Sequence, residues 1–305
     1  MNDKITISTL QLFQMFSDQE TARSYLEKRR WPEGTKCPCC GLDDRITVRK
    51  GDYYRCNQCK EDFTVRTGTI FERSHVPLHK WIYAMYLLVT ARKGISSMQL
   101  SKEIGVTQKS AWFMLHRLRE ACGNDPTLLS GIVEVDEVYI GGKEKNKHKR
   151  KKLKSGRGTV GKSVVLGMRE RGDRIKAMKV ETTDSKTLLP VIQAYIKPGT
   201  TVHTDEHAGY SNLGNFFRHE TINHSAGEFV RDDVTTNSIE SVWVVMRRGL
   251  QGVYHHASKK HLDRYIDEFT FRLNDGNVKR HTMKRLNSFV DNSIGRRITY
   301  KELIA

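Results

Sequence analysis

Apolar positions along the chain change period several times, and each change marks a different kind of element. In residues 1 to 30, Leu10, Leu12, Phe13, Phe16, Ala22, Tyr25 and Leu26 recur at spacings near three and four. That spacing places them on one helical face, so one or two lead-in helices are expected, broken near Asp18. The stretch RITVRKGDYYRC then alternates as a hairpin does, and DFTVRTGTIFE continues it. From Pro77, suited to a first helical turn, Trp81, Met85, Leu88 and Val89 form one apolar face. SSMQLSKEIGVTQKSAWFMLHRLREAC reads as helix, short turn at Gly105, helix. Leu100 and Ile104 lie under the first helix, Val106 enters the turn, and Ala111, Met114, Leu115 and Leu118 lie under the second.

Beyond a linker, GNDPTLLSG, the pattern becomes that of buried strands. Ile132, Val133, Val135, Val138 and Ile140 make the first. KSVVLGMRE and RIKAMKVET make two more, turning at Gly172-Asp173. Asp184 or Ser185 caps a helix through Leu188, Leu189, Ile192, Tyr195 and Ile196, and Pro198-Gly199 ends it. A strand at Thr201, Val202 and His203 follows, then a short helix around Tyr210 and Leu213, then a strand near 216 to 222. Asn237 serves as N-cap of a helix with Ile239, Val242, Trp243, Val245 and Met246 apolar, stopped by Gly249. Last, HLDRYIDEFTFRLN sets Leu262, Ile266, Phe269 and Leu273 on one face, expected to pack on the preceding domain or a second subunit, and a basic tail closes the chain. Five segments result: a helical lead-in (1–30), a cysteine-rich module (31–72), a helix-turn-helix (77–122), an α/β domain (131–256) and a helical tail (257–305).

The 305 residues carry a formal net charge of +17, which argues for a polyanionic partner, most commonly nucleic acid. Lys143 to Arg157 holds nine Lys or Arg against one Glu. At a hairpin tip, Lys149, Arg150, Lys151, Lys152, Lys154 and Arg157 suit phosphate contact. Thr107, Gln108, Lys109 and Ser110, with Trp112, face outward at the start of the second helix of the pair, where base edges are read. Arg45, Arg49, Lys50, Arg55, Lys60 and Arg66 decorate the cysteine-rich module. The longest apolar stretch, Trp81 to Ala91, is too short to span a bilayer, so a soluble, cytoplasmic protein is expected.

Of six cysteines, five fall between Cys37 and Cys59. Cys37 with Cys40 and Cys56 with Cys59 form two CxxC knuckles, the arrangement of a four-thiolate structural Zn2+ ribbon. Cys39 is the odd one out.

Three acids stand out in the second half. Asp136 and Asp205 interrupt or end buried strands, and Glu240 lies on the following helix, sharing a face with Trp243 and Arg247. A buried carboxylate is costly unless paired or metal-bound, and three converging ones can hold a divalent cation. The competing explanation for Glu240 is a capping box with Asn237. Glu134, Glu137, Glu206 and Asp233 lie near enough in sequence to be mistaken for the ligands.

The order Asp136, Asp205, Glu240, with 35 positions between the last two, and the run NSIESVW through GLQGVYHH resemble the DDE transposases of bacterial insertion sequences. The likeness is to the ISXO2-like group with a zinc ribbon and helix-turn-helix ahead of the DDE domain. It spans nearly the whole chain. The resemblance implies a ribonuclease H-like mixed sheet with flanking helices, in which the first and fourth strands are neighbours. It implies binding to the terminal inverted repeats of double-stranded DNA, then strand cleavage and transfer into target DNA. Two Mg2+ ions about 4 Å apart, for which Mn2+ can substitute, would serve the chemistry, with Asp136 bridging them and Asp205 and Glu240 completing the sites. In some relatives Asn replaces the third acid, which keeps Asn237 as runner-up. The family motif usually has Lys at the position of Arg247; Arg keeps the charge but binds phosphate as a planar fork. His255 and His256 are open to DNA contact or packing. Two-ended chemistry suggests a homodimer or higher oligomer on DNA. The alternatives are a zinc-ribbon and helix-turn-helix regulator, or a ribonuclease H-like nuclease that cuts without joining.

Overall fold

The computed structural model describes residues 6–123, 126–142, 148–152, 159–255 and 257–305. The chain forms two compact units. Unit 1 comprises residues 1–123 together with 275–305, and unit 2 comprises residues 124–274.

Unit 1 begins with α1 (Thr9–Met15) and α2 (Gln19–Arg30), each opened by a capping box, from Ser8 and from Asp18. Those boxes satisfy the first-turn N–H groups and fix the break seen in the hydrophobic pattern. Leu12, Phe16, Ala22 and Leu26 are buried, whereas Leu10 and Phe13 are exposed. Three short antiparallel strands follow, β1 (Ile46–Val48), β2 (Tyr54–Cys56) and β3 (Asp62–Phe63). The expected extension beyond Phe63 is irregular, and Arg66 is engaged locally, donating to the carbonyls of Ser74 and Val76. Trp31 stands edge-on to Tyr54 and Phe63, giving this small module an aromatic seat.

Pro77 is the N-cap of α3 (Leu78–Thr90), whose Trp81, Met85, Leu88 and Val89 are buried. Then come α4 (Ser97–Ile104) and α5 (Gln108–Glu120), packed together and joined through Gly105, whose φ of 62° is the left-handed turn conformation. All six apolar positions expected beneath this pair, from Leu100 to Leu118, are buried.

The division of the chain differs from the expected five segments. The helix around Leu262 to Leu273 is α8 and belongs to unit 2, but residues 275–305 belong to unit 1. There they form α9 (Thr282–Ser293), packed on α2 and α3, and α10 (Tyr300–Ile304). The reason lies in two separate apolar stripes. Leu286, Phe289 and Val290 of α9 are buried in unit 1, while Leu262, Ile266 and Phe269 of α8 join a unit 2 core. Buried Arg285 hydrogen-bonds the Val89 carbonyl and Thr282.

Unit 2 is built on a five-stranded mixed sheet. Its strands are β4 (Ile132–Ile140), β5 (Ser163–Glu170), β6 (Ile175–Val180), β7 (Thr201–Thr204) and β8 (Arg218–Thr221), in the order β6-β5-β4-β7-β8. The first three form an antiparallel meander, and β4, β7 and β8 are parallel. A helix, α6 (Ser185–Tyr195), is capped by Asp184, which accepts the Thr187 N–H at 2.8 Å. Val133, Val135, Leu166 and Val202 share a core with Leu188 and Ile192 of α6. On the other face, Val138 and Val165 pack with α7 (Asn237–Gly249) and α8. The sheet is thus covered on both faces, and the residues of β4 alternate between them.

Three local expectations change. Around Tyr210 and Leu213 the chain makes two 3₁₀ turns instead of an α-helix. Val245 is exposed. Gly249 ends the α-helical hydrogen bonding without ending the coil, which widens into a π-turn at Leu250–Tyr254. Tyr254 stabilises that turn by packing on Tyr265 and Phe269 and donating to buried Glu268 at 2.5 Å.

Phe289→Ala should cost unit 1 about 3–5 kcal/mol. Trp31, Trp81 and Trp112 all lie in that unit, so urea unfolding followed by tryptophan fluorescence reads it. An unshifted midpoint would mean that α9 is not part of its core.

Candidate functional site

Strand β4 carries Glu134, Asp136 and Val138 on the face turned to α7. Glu134 is fully buried. Its Oε2 accepts from the Ser238 N–H at 2.8 Å, the Ile239 N–H at 3.1 Å and the Ser238 hydroxyl at 2.5 Å. Its Oε1 faces the Arg171 guanidinium, with Nε and Nη2 both at 3.3 Å. Arg171 also donates to Asp233 at 2.7 Å and lies 3.3 Å from His203 Nδ1. Burial, then Arg171, holds the His203 ring below its ordinary pKa.

This arrangement corrects the expected capping of α7. The N-cap position is Thr236, with no side-chain cap bond, and Asn237 is the exposed first residue of the helix. Glu134, on the strand beneath, meets the Ser238 and Ile239 N–H groups, and the Thr235 hydroxyl oxygen accepts the Asn237 N–H at 3.1 Å. Glu240 does not close a capping box with Asn237. Its Oε1 instead accepts from the Thr236 hydroxyl at 3.1 Å and lies 3.6 Å from His224 Nε2.

Asp136 is half-buried, and Trp243 Nε1 donates to its Oδ2 at 2.8 Å. Burial pushes the Asp136 carboxyl up to about 7; the Trp243 bond opposes that rise, while the charges of Glu137 and Asp205 add to it. β7 lies beside β4 in parallel, with Glu134 opposite His203, and Asp205, whose Oδ1 accepts the His207 N–H at 3.0 Å, comes just past the end of β7.

The four neighbouring acids that might be mistaken for ligands all have other work. Glu134 holds α7, and Glu137 accepts the Tyr210 hydroxyl at 2.6 Å. Glu206 accepts the N–H groups of His224 and Ser225 at 3.0 Å, and Asp233 pairs with Arg171. Arg247 and His255 are on the surface side of their segments, His255 with a left-handed φ of 56°. His256 lies outside the described residues.

In unit 1 the sulfurs of Cys37, Cys40, Cys56 and Cys59 lie within 4.8 Å of one another, and Cys39 is exposed and outside the group. Cys37 and Cys59 are 3.6 Å apart, as are Cys40 and Cys56. A tetrahedral ion with Zn–S bonds of about 2.3 Å spaces its sulfurs by roughly 3.8 Å, so the donor set fits Zn2+. The Cys59 backbone N–H lowers the Cys56 thiol, while burial and the neighbouring cysteines raise the Cys40 and Cys59 thiols, so without a metal the four sulfurs share little negative charge. Among the described residues this is the only group of three or more His, Cys, Asp or Glu gathered so tightly. Asp136, Asp205 and Glu240 are not.

The candidate DNA contacts divide. Thr107, Gln108 and Lys109 are exposed and Ser110 is half-buried at the start of α5. Thr107 caps that helix through the Ser110 N–H at 3.1 Å, Gln108 donates to Ser97 at 2.9 Å, and Lys109 lies 4.9 Å over the Tyr300 ring. Trp112 is half-buried against His116. Residues 141–162 connect the paired strands β4 and β5. Within them Lys149–Lys151 form a 3₁₀ turn, and Lys149, Arg150 and Lys152 are exposed. Lys154, Arg157 and the Lys151 side chain lie outside the described residues. No described helix is long and apolar enough to cross a membrane.

Sequence reasoning passed over Glu134 as a ligand and missed its anchoring role. The signal was available: Glu-Val-Asp on a strand puts both acids on one face. A glycine within a strand, Gly167, was a second signal for close approach.

Two family patterns match the chain. Residues 128–274 match the ISXO2-like transposase domain, and residues 17–62 match a transposase zinc-ribbon domain. A protein in transposable element ISH50 of Halobacterium salinarum, described as uncharacterized, is 32% identical over 274 residues, covering 84% of this chain and 91% of its own length. An uncharacterized transposase-like protein of Haemophilus influenzae is 32% identical over 107 residues, which cover 35% of this chain and 85% of its own.

Stripping zinc with a strong chelator should unfold the β1–β3 module, since structural zinc contributes on the order of 10 kcal/mol to folding such modules. Loss of its amide dispersion by NMR checks this. A second measurement concerns Asp136 without divalent cations. Its raised pKa means that the folded state holds the proton more tightly than the unfolded chain. Its contribution to stability is present below the unfolded value near 4 and is lost as pH rises through about 7. Asp136→Asn should therefore stabilise metal-free unit 2 relative to wild type at pH 8, with the difference shrinking toward pH 4 in thermal melts.

Proposed function

The chain belongs to the ISXO2-like transposases that carry a zinc ribbon, and from that membership we propose that it cuts the ends of an insertion sequence and joins them to target DNA. The observation that carries the proposal is the placement of Asp136 on β4 and of Asp205 just past the end of β7, its parallel neighbour, with Asp136 bonded by Trp243 of the helix that bears Glu240. The strand order, with an antiparallel meander followed by two parallel strands, supports a ribonuclease H-like reading of unit 2.

Asp136 and Asp205 offer hard carboxylate oxygens, and the raised pKa of Asp136 marks a carboxyl whose ionised form a cation would favour. That donor chemistry fits Mg2+ at this pair, with Glu240 as the third ligand. Glu240 is held by Thr236 and sits close to His224 in this structure. When bound, Mg2+ activates the attacking oxygen, stabilises the phosphorane-like transition state and neutralises the leaving oxygen. Asp136 and Asp205 orient the scissile phosphate's surroundings, and α7 delivers Glu240 to the same face. Arg247, two turns beyond Glu240, supplies a planar fork for a phosphate. No covalent link between protein and DNA is needed.

In unit 1, the α4–α5 pair serves as a helix-turn-helix. Thr107 to Ser110 then meet base edges of the terminal repeats in the major groove. The zinc-bearing module and the basic β4–β5 connection grip phosphates, Lys149, Arg150 and Lys152 among them. A second copy of the chain serves the second end, giving a dimer on DNA in the cytoplasm.

Duplexes taken from the DNA flanking the reading frame, incubated with the protein and Mg2+, test this. Joined products are expected from the wild type, falling by more than about 100-fold in Asp205→Asn and Glu240→Gln. Binding should weaken about a thousandfold between roughly 50 and 200 mM salt if about six phosphates are neutralised. Cleavage without joining would turn the reading to a nuclease. Tight binding without cleavage would turn it to a regulator.

A further inference from the structure

Among the groups around the carboxylates, one donor has no part in the chemistry above. The Trp243 indole is buried, and its N–H points at Asp136 Oδ2 over 2.8 Å. Two neighbouring features hold it there. Gly167 of β5 lies directly opposite Asp136 in the antiparallel register. A Cβ at Gly167 would stand 2.2 Å from Cη2 and 2.4 Å from Cζ2 of Trp243, and 3.0 Å from Ile239 Cδ1. The first two separations are too short for any real Cβ contact, so the indole occupies space that only glycine leaves open across β5. Finally, the first turn of α7 is bound to Glu134, one alternation along β4 from Asp136, so the helix cannot slide to release the ring.

We propose that Trp243 is a positioning residue for the metal site: its N–H fixes the orientation of the Asp136 carboxylate, and Gly167 provides the notch in which the indole lies. The proposal rests on the reading of Asp136 as a metal ligand. A carboxylate free to rotate loses part of its binding energy in being ordered, whereas one held by a buried donor is ordered beforehand. Partners of this kind are worth about 10- to 100-fold in metal affinity where they have been removed. The bland alternative is that Trp243 only fills the core beside Val242, Met246 and Ile266. Both readings need the notch at Gly167 and a partner for the buried N–H; they part on whether loss of that N–H weakens metal binding.

Trp243→Phe separates the two, because it keeps an aromatic ring and deletes the N–H. The full-length variant should bind Mn2+, titrated by the EPR signal of the free ion, about 10- to 100-fold more weakly than wild type. Its half-maximal Mg2+ concentration for DNA cleavage should rise in step, with DNA affinity unchanged. Mn2+ affinity equal to wild type would overturn the proposal. Asp136→Asn, run alongside, isolates the underlying reading: if it binds Mn2+ as wild type does, Asp136 is no ligand, and the failure lies there and not with Trp243. Should Trp243→Phe not fold, the ¹⁵N-labelled indoles decide. Of the four tryptophans, Trp31, Trp81 and Trp112 lie in unit 1 and Trp243 in unit 2. The Trp243 indole resonance should move between wild type and Asp136→Asn, and an unmoved resonance overturns the contact.

Discussion

A carboxylate as deeply buried as Glu134 must find donors on every side, and the way it finds them fixes the geometry of unit 2. Three come from the first turn of α7 and two from Arg171. The positive end of the helix dipole faces the same group. Removing the acid would leave first-turn N–H groups and a guanidinium without their partner, the costly half of breaking a buried pair. The two contacts along β4 are also commensurate with the helix. Glu134 and Asp136 are about 6.6 Å apart along a strand, and Ile239 and Trp243 about 6 Å apart along a helix. One helix can therefore satisfy both acids only in one register, and that register sets where Glu240 emerges.

Much of this unit was legible beforehand because its patterns are local. The strand runs of β4 and β7 are dense in β-branched residues, and the Asp184 cap follows from its side chain meeting Thr187. The parallel pairing of β4 with β7 came only through a family likeness, since no periodicity states which strand lies beside which. What failed was local inference wherever a distant residue supplied the answer. Asn237 has the right chemistry for an N-cap, but Glu134, 104 positions away from Ser238, does the capping. Gly249 looks like a helix stop, but Tyr254 draws the chain onward by reaching Glu268. For the same reason residues 257–305 read as one helical tail: the stripe at 262–273 reports that a helix has an apolar face, not which surface covers it, and 282–293 read only as basic.

Within the candidate site, residue types were readable and their partners were not. The two CxxC knuckles announce a four-thiolate site because ligand spacing is a sequence property, and the sulfurs do gather. Three acids spread over 105 positions carry no such constraint. Their companions, Trp243 on Asp136 and Thr236 and His224 beside Glu240, depend on how α7 is laid across the sheet.

The return of residues 275–305 to unit 1 bears on the order in which the molecule is made. Unit 2 is encoded by an uninterrupted stretch and can condense as soon as residue 274 clears the ribosome. Unit 1 begins earlier but must wait, because α3 faces α9, and Arg285 and Phe289 fill its interior. During synthesis the part of α3 that α9 covers therefore stays open across the whole translation of unit 2. The nascent chain holds a finished α/β unit before it holds a finished partner for the zinc-bearing segment, and that interval is when chaperone capture or aggregation of the unfinished half would compete with folding.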